Sequence, residues 1–382
     1  MASGDKSMTV TMDFRHRRLR KALETTQLDG LITAGPDNTV YLSGAYNPIR
    51  RLILERPAIV LWPRDGSPSL IAAAVEEAFL HERSAISELS LYQGATEAAV
   101  SALVDALGKE QLLTRRLGID LEGVSGHFYR ELLQRAPDVE FEDCSGLLAE
   151  IRAVKSEDEA HALCHAAQST DRADWMALDA FQIGWTEAEL GVRLRQALIG
   201  QGAETISFLI LGGGIRGVSA HASPSNAPLA RGEIVRLDMG GLFNGWASDL
   251  AKTLCVGEAS PRQRRVYQTL HSILDDHIAR IRPGKKAGDL FNEVASDFNR
   301  AELRFGAPHV GHGIGLSVHE WPILTAGNSA RIRAGMVLCL ELMYVERDVE
   351  RYHLEELVLV REDEAEVISR SRPAREEVPI IG

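Results

Sequence analysis

The stretch Gly232-Glu-Ile-Val-Arg-Leu-Asp-Met-Gly-Gly-Leu-Phe-Asn-Gly-Trp-Ala-Ser-Asp-Leu-Ala-Lys-Thr253 decides how the C-terminal half of this 382-residue chain is read. An apolar run, Ile234 to Met239, carries a carboxylate at Asp238, and a second, Ala251 to Val256, follows a carboxylate at Asp249. Between them lie Gly240-Gly241 and Asn244-Gly245, and Asn-Gly between apolar runs is a strong hairpin signal. Such a hairpin brings both acids to one spot, because antiparallel neighbours sit about 5 Å apart. The device recurs: Glu341 ends Met336-Val-Leu-Cys-Leu340, and Glu355 interrupts the apolar strand His353 to Val360. Four carboxylates on otherwise apolar strands are costly to bury unless cations neutralise them. Between the hairpins stands Gly311-His312-Gly-Ile-Gly315, where glycine on either side of the imidazole lets the backbone approach closely. Four oxygen ligands, Asp238, Asp249, Glu341 and Glu355, with the imidazole of His312, suit two divalent ions of intermediate hardness: Mn²⁺, Co²⁺, Fe²⁺ or Zn²⁺. Taken singly, each acid reads equally well as a solvated strand-end charge. Five such residues at corresponding points of two hairpins and a glycine-rich strand point to a metal site.

Working outward, helix-start signals punctuate the same half. Ser156 with Glu159, Thr186 with Glu189, and Ser260-Pro261 with Gln263 are capping boxes, in which each side chain satisfies an orphan backbone N–H. They open helices running to about Phe181, through the segment after Thr186, and up to Pro283-Gly284; Asp289 to Leu303 is a fourth. Strand-like runs at Ile206–Leu211, Ile234–Met239, Ala251–Val256, Met336–Leu342 and His353–Val360 alternate with them. Helices and strands in two rounds predict an α+β domain over residues 151–370, followed by a tail over 371–382. Residues 1–150 read as a separate α/β domain. There Phe14 to Thr26 is an amphipathic helix, Asp29 to Thr33 a strand, and Pro36-Asp37-Asn38 and Ser43-Gly44 are turn signals. Pro57–Trp62 and Ser69–Ala73 form a hairpin, Glu97–Leu107 a helix, and Leu117–Asp120 a strand.

The formal charge is −12, so nucleic acid is not an expected partner; phosphate backbones need a basic footprint. Four cysteines without a CxxC pair do not form a disulfide framework. No apolar stretch approaches the roughly 18 residues of a membrane span, and a soluble, cytoplasmic protein with no membrane partner is expected. Gly212-Gly-Gly214-Ile-Arg-Gly217 fits G-x-G-x-x-G, but Pro224 and Pro228 follow where a dinucleotide loop needs a helix. His161 and His165 read as an exposed helix face, and His319-Glu320 lacks the second histidine of HExxH, position 323 being isoleucine.

At the acidic constellation the chain resembles the creatinase/prolidase/methionine-aminopeptidase family (M24 metallopeptidases) with the pita-bread fold. The motifs are Gly232 to Gly241, Ser248-Asp-Leu-Ala-Lys-Thr253, Gly311-His-Gly-Ile-Gly-Leu-Ser-Val-His-Glu-Trp-Pro322, Gly335-Met-Val-Leu-Cys-Leu-Glu341 and His353-Leu-Glu-Glu356. Asp13 to about Leu148, including Asn38-Thr-Val-Tyr-Leu-Ser-Gly44, is similar to the creatinase-type N-terminal domain. The resemblance implies that Asp238 serves one metal, that His312 and Glu341 serve the other, and that Asp249 and Glu355 bridge them. It further implies a water-activating hydrolase with Glu341 as proton acceptor, and with His221 and His319 facing the substrate as catalytic groups. The expected function is hydrolysis of a peptide or peptide-like amide, Xaa-Pro dipeptidase- or aminopeptidase-like, on a small peptide substrate, in a homodimer. The alternative is a non-peptidase member acting on a small metabolite, as an ectoine- or creatine-type C–N hydrolase or a dimethylsulfoniopropionate lyase; a third reading is a non-catalytic binding protein. His353, where relatives often carry arginine, and Pro308, where proline-directed relatives tend to carry histidine, depart from the pattern. A histidine, His309, is adjacent to the latter.

Overall fold

The structure, a computed structural model, describes residues 2–346, 349–372 and 377–382, with the side chains of residues 2–10 left aside. The chain divides into two compact units, Met1–Arg152 and Ala153–Gly382. The first holds a mixed six-stranded sheet in the order β4-β3-β2-β1-β5-β6. Its strands are β1 (Gly30–Thr33), β2 (Ile59–Pro63), β3 (Ser69–Ala73), β4 (Glu88–Tyr92), β5 (Arg116–Ile119) and β6 (Glu140–Asp143). β2 and β3 form the expected antiparallel hairpin, and Ile59, Leu61 and Ile71 bury against Leu103 and Leu107 of the helix Thr96–Lys109.

Two local expectations need correction. The helix expected from Phe14 extends back to Ala2 and ends at Glu24. Pro36-Asp37-Asn38 is not a turn but the first turn of a helix, Pro36–Ser43. Proline is pre-organised for that position, where its missing N–H would have no partner anyway. Gly44, at φ 72°, then closes the helix in the left-handed conformation.

In the second unit all three capping boxes form, at Ser156/Glu159, Thr186/Glu189 and Ser260/Gln263. They start the helices Glu157–Asp179, Glu187–Gly200 and Pro261–Arg280, and the fourth helix is Ala287–Arg300. One sheet runs β16-β10-β8-β7 with β9 on β8, and the other runs β12-β11-β13-β14-β15. The strands are β7 (Thr205–Gly213), β8 (Ile234–Phe243), β9 (Trp246–Ala247), β10 (Leu250–Val256), β11 (Gly311–Gly313), β12 (Glu320–Ile323), β13 (Val337–Glu346), β14 (Glu350–Val360), β15 (Ala365–Val367) and β16 (Ile380–Ile381). Within the C-terminal tail, β16 pairs in parallel with Cys255 and Val256. The G-x-G-x-x-G stretch ends β7 and enters a 3₁₀ turn, Gly214–Val218, rather than an α-helix.

Strand alternation gives each sheet an apolar and a polar face. In β8, Val235, Leu237 and Met239 pack with Leu190, Leu194 and Leu198 of the first helix pair. In β13 and β14, Leu338, Leu340, Leu342, Leu354 and Val358 pack with Leu270, Leu290, Val294 and Phe298 of the second pair. The residues between them, Arg236 and Asp238 in one sheet and Cys339, Glu341, His353 and Glu355 in the other, therefore fall on the faces turned away from the helices. Thr253 of β10 joins the sheets: its hydroxyl accepts from the His353 N–H at 2.8 Å and donates to the His353 carbonyl at 3.0 Å. Leu340 is fully buried. Leu340→Ala is expected to lower unfolding free energy by about 2–5 kcal/mol in a denaturant titration, through lost burial and the cavity left behind.

Candidate metal centre

The first hairpin turns at Asn244 and Gly245, whose φ values of 49° and 83° are those of a two-residue type I′ turn. Asp238 lies opposite Ala251, and Leu250 opposite Met239. Asp249 consequently comes opposite Gly240, two residues along the same face from Asp238. A Cβ on Gly240 would run into the Ser248 carbonyl, so glycine is what permits this approach. In the second hairpin Glu341 and Glu355 are paired directly across the register. His312 of β11 lies opposite Cys339, and the same alternation brings it to the face that carries Glu341.

All five expected ligands are buried; Asp238, Asp249, His312 and Glu355 fall into the two groups of ligand atoms below, and Glu341 lies beside His312 outside both groups. His312 Nε2 is 3.5 Å from Asp249 Oδ2 and 3.6 Å from Glu341 Oε1. Two groups of ligand atoms, each within 4.8 Å, form around them: Asp249, His312, Cys339 and Glu355, and Asp238, His353 and Glu355. Glu355 belongs to both. Two of the carboxylate oxygens, Asp238 Oδ1 and Glu355 Oε2, are buried without a hydrogen-bond partner. Orphaned anionic oxygens in a buried site are what a divalent cation would satisfy, and the donor set of carboxylates and imidazole fits one.

The protonation pattern of these groups reflects this crowding. Burial, then the neighbouring carboxylates Glu355, Asp238 and Glu341, push the Asp249 carboxyl well above its ordinary range. Burial and Asp238 raise Glu355 to about 8. Glu341 is the exception: burial pushes it up, but hydrogen bonds from His309 and His353 prevail and hold it well below the usual carboxylate value. Desolvation lowers His312 to about 4. It works on His353 in the same direction, yet the partners Asp238 and Glu341 outweigh it and raise that imidazole to about 9.

Four groups at the centre escaped the expected ligand set. His353 reaches both acidic hairpins, with Nε2 3.0 Å from Glu341 Oε2 and Nδ1 3.4 Å from Asp238 Oδ2. Arg236 donates to Asp238 Oδ2 at 2.9 Å, and its Nε lies 3.3 Å from His353 Nδ1. His309 Nδ1 lies 3.1 Å from Glu341 Oε1. The Cys339 thiol donates to Glu355 Oε1. A signal for Arg236 was present, since a lone charge interrupts the apolar run Glu233-Ile-Val-Arg-Leu. A cysteine between leucines carried none.

His319, expected to face the substrate, stacks on His312 with ring centroids 3.8 Å apart, and burial lowers its pKa. His221 lies exposed on the wall of the same cavity, which encloses about 1440 Å³ and includes Asp238, Asp249, Glu341 and Glu355 in its lining. Glu320, next to His319, is buried and paired with Lys155 at 3.4 Å. His161 and His165 lie on the exposed side of their helix. Among the described residues no helix is long and apolar enough to cross a membrane, and all four cysteines are free.

Known proteins resemble this chain over most of its length. Residues 159–362 match the model for Metallopeptidase family M24, and residues 15–154 match the Creatinase/Prolidase N-terminal domain. The chain is 30% identical over 367 residues to a probable dipeptidase PepE of Mycobacterium bovis, covering 91% of this chain and 92% of that one. It is 23% identical to the Xaa-Pro dipeptidase of Pyrococcus furiosus over 94% of this chain and 99% of the relative. The crystal structure of dipeptidase PepE from Mycobacterium ulcerans superposes with a TM-score of 0.84 at 26% identity, covering 98% of each chain.

Proposed function

Because the chain belongs to metallopeptidase family M24, with the pita-bread α+β fold and a creatinase-type N-terminal domain, we propose that this metal-dependent hydrolase is a dinuclear enzyme cleaving small peptides, of the Xaa-Pro dipeptidase kind. The observation that supports it most is the sharing of Glu355 between two buried ligand groups, with Asp238 Oδ1 and Glu355 Oε2 left unpartnered. In this reading Asp238 would serve one ion, His312 and Glu341 would serve the other, and Asp249 and Glu355 would serve both. When bound, such ions lower the pKa of a shared water toward neutrality and polarise a scissile carbonyl.

The chain's own residues supply the rest. Glu341, kept ionised by His309 and His353, is the proton acceptor, since a base must be deprotonated before it can act. Arg236 and His353 together fix the Asp238 carboxylate, so its remaining oxygen faces the centre. His319, largely neutral because it is desolvated, and His221 on the cavity wall steady the developing oxyanion or the leaving nitrogen. The peptide reading is preferred to the small-metabolite one because the relatives above carry dipeptidase names. Turnover of a dipeptide panel, Xaa-Pro members included, should require Mn²⁺, Co²⁺ or Zn²⁺ and stop on chelation. Absence of cleavage of every dipeptide under all three metals would overturn the proposal.

A further inference from the structure

Cys339 is the one group at the centre that neither the expected ligand set nor the mechanism above employs. It is fully buried on β13, in register with His312 of β11, so that sulfur and imidazole share a face. Its Sγ and one ligand atom each of Asp249, His312 and Glu355 all lie within 4.8 Å of one another. Four donors bonded to a zinc-sized ion at about 2.0–2.3 Å would stand roughly 3.5 Å apart, so a small inward shift of these side chains closes the set. Glu341 stays outside that group: its two carboxylate oxygens lie 3.1 Å from His309 Nδ1 and 3.0 Å from His353 Nε2. Glu355 adds a second observation. Its Oε1 accepts from the Cys339 thiol, but its Oε2 has no hydrogen-bond partner, although the side chain is only 2% exposed. A thiol that served only to satisfy Glu355 would leave that oxygen orphaned, whereas one cation takes the free oxygen and the sulfur together.

A sulfur donor changes which ion is favoured. Carboxylates suit hard ions such as Mn²⁺, whereas a soft thiolate selects Zn²⁺ or Co²⁺. The second group, Asp238, His353 and Glu355, contains no sulfur, so the preference is confined to the half of the centre that holds His312. Burial and then Glu355 push the thiol well up, which makes it a neutral donor among these carboxylates. A divalent cation reverses that local balance and deprotonates a coordinating thiol outright. The S–H bond breaks heterolytically: the electron pair stays on sulfur and forms the bond to the metal, and the proton leaves to solvent. We propose that Cys339 is a thiolate ligand of the ion beside His312, and that it biases that position toward Zn²⁺ or Co²⁺ and against Mn²⁺.

This inference rests on the dinuclear reading above, and its test separates the two. The full-length protein is stripped with a chelator and reloaded with Co²⁺. Wild type should show a near-ultraviolet sulfur-to-cobalt charge-transfer band, which oxygen and nitrogen ligands do not give. Cys339→Ser keeps a hydrogen-bond donor for Glu355 but no soft donor, and should bind cobalt without the band. In competition, the preference of wild type for Zn²⁺ over Mn²⁺ should exceed that of Cys339→Ser by at least about tenfold, since even changes outside a ligand set cost about 10–100-fold in metal affinity. A thiol that only donates to Glu355 would give equal preferences, because a serine hydroxyl fills that role. Zinc-edge X-ray absorption of wild type, which needs no variant to fold, should detect a sulfur neighbour at about 2.3 Å. Cobalt bound without the band, a band that survives in Cys339→Ser, equal preferences, or a zinc spectrum of oxygen and nitrogen neighbours alone would each overturn the sulfur assignment and leave the dinuclear reading standing. A wild-type protein that takes up no divalent ion would overturn both.

Discussion

Asp249→Ala is expected to abolish metal uptake and turnover together. Asp249 Oδ2 lies 3.5 Å from His312 Nε2, while Asp238 on the neighbouring strand engages His353 and Arg236. Removing it takes a carboxylate from the group that also contains His312 and Glu355. In the proposed dinuclear centre Asp249 serves both ions, so metal analysis of the purified variant should return less than one equivalent. Activity should drop by at least three orders of magnitude, since solvent activation and carbonyl polarisation disappear at once. The protein should still fold, because truncation also relieves repulsion between Asp249 and its neighbours Glu355, Asp238 and Glu341. Full activity with unchanged stoichiometry would remove the metal centre from the mechanism.

The second large effect concerns pH. In the metal-free protein Glu355 is raised from 4.5 to about 8, and His353 from 6.5 to about 9. Both groups bind protons more tightly when folded than when unfolded. For each, the linked stability is fully present below the unfolded value and is lost as pH rises through the folded value. Asp249, raised well above 3.8, acts in the same direction. His312, lowered to about 4, opposes them only below its unfolded value of 6.5, and Glu341, held low, opposes them only below 4.5. The clean window is therefore pH 6.5 to 9, across which the chelated protein should lose on the order of a few kcal/mol of stability. Thermal unfolding at the two ends of that window measures it. Saturating metal should flatten the profile, because cations take over the neutralising role of the protons, and ligand binding to the native state adds about 4 kcal/mol at 1,000 times Kd. Metal binding near neutral pH should also release protons, detectable as a buffer-dependent enthalpy in calorimetry. A chelated protein whose stability rises from pH 6.5 to 9 would contradict the protonation pattern of the site.

Much of this was legible without coordinates. Capping boxes are local: a serine or threonine and a glutamate or glutamine three residues on are enough to place a helix start, and all three formed. The acidic hairpins were legible because a carboxylate inside an apolar strand is energetically anomalous, and Asn244-Gly245 prescribes a two-residue turn. Pro36 was misread because proline suits both a turn and the first turn of a helix. What separates the two is whether the next residues, Thr39 to Ser43, find a core to bury in, and here they do.

The sequence by itself determined the longer strands of the C-terminal half, the hairpins that join Asp238 to Asp249 and Glu341 to Glu355, and the set of acids that alternation must place on one face, since these follow from spacing and hydrophobic period. Tertiary structure alone decided which groups surround those acids. His353 is 100 or more residues from every member of the first hairpin that it touches, and Arg236 and Cys339 come from two different strands and His309 from a loop. Such contacts depend on how two sheets are stacked and stitched through Thr253, a long-range arrangement for which local pattern carries no signal. Among the described residues the same stacking leaves Arg351 on the cavity wall with its Nε unpartnered, a property that belongs to the three-dimensional surroundings and not to the residue's place in the chain.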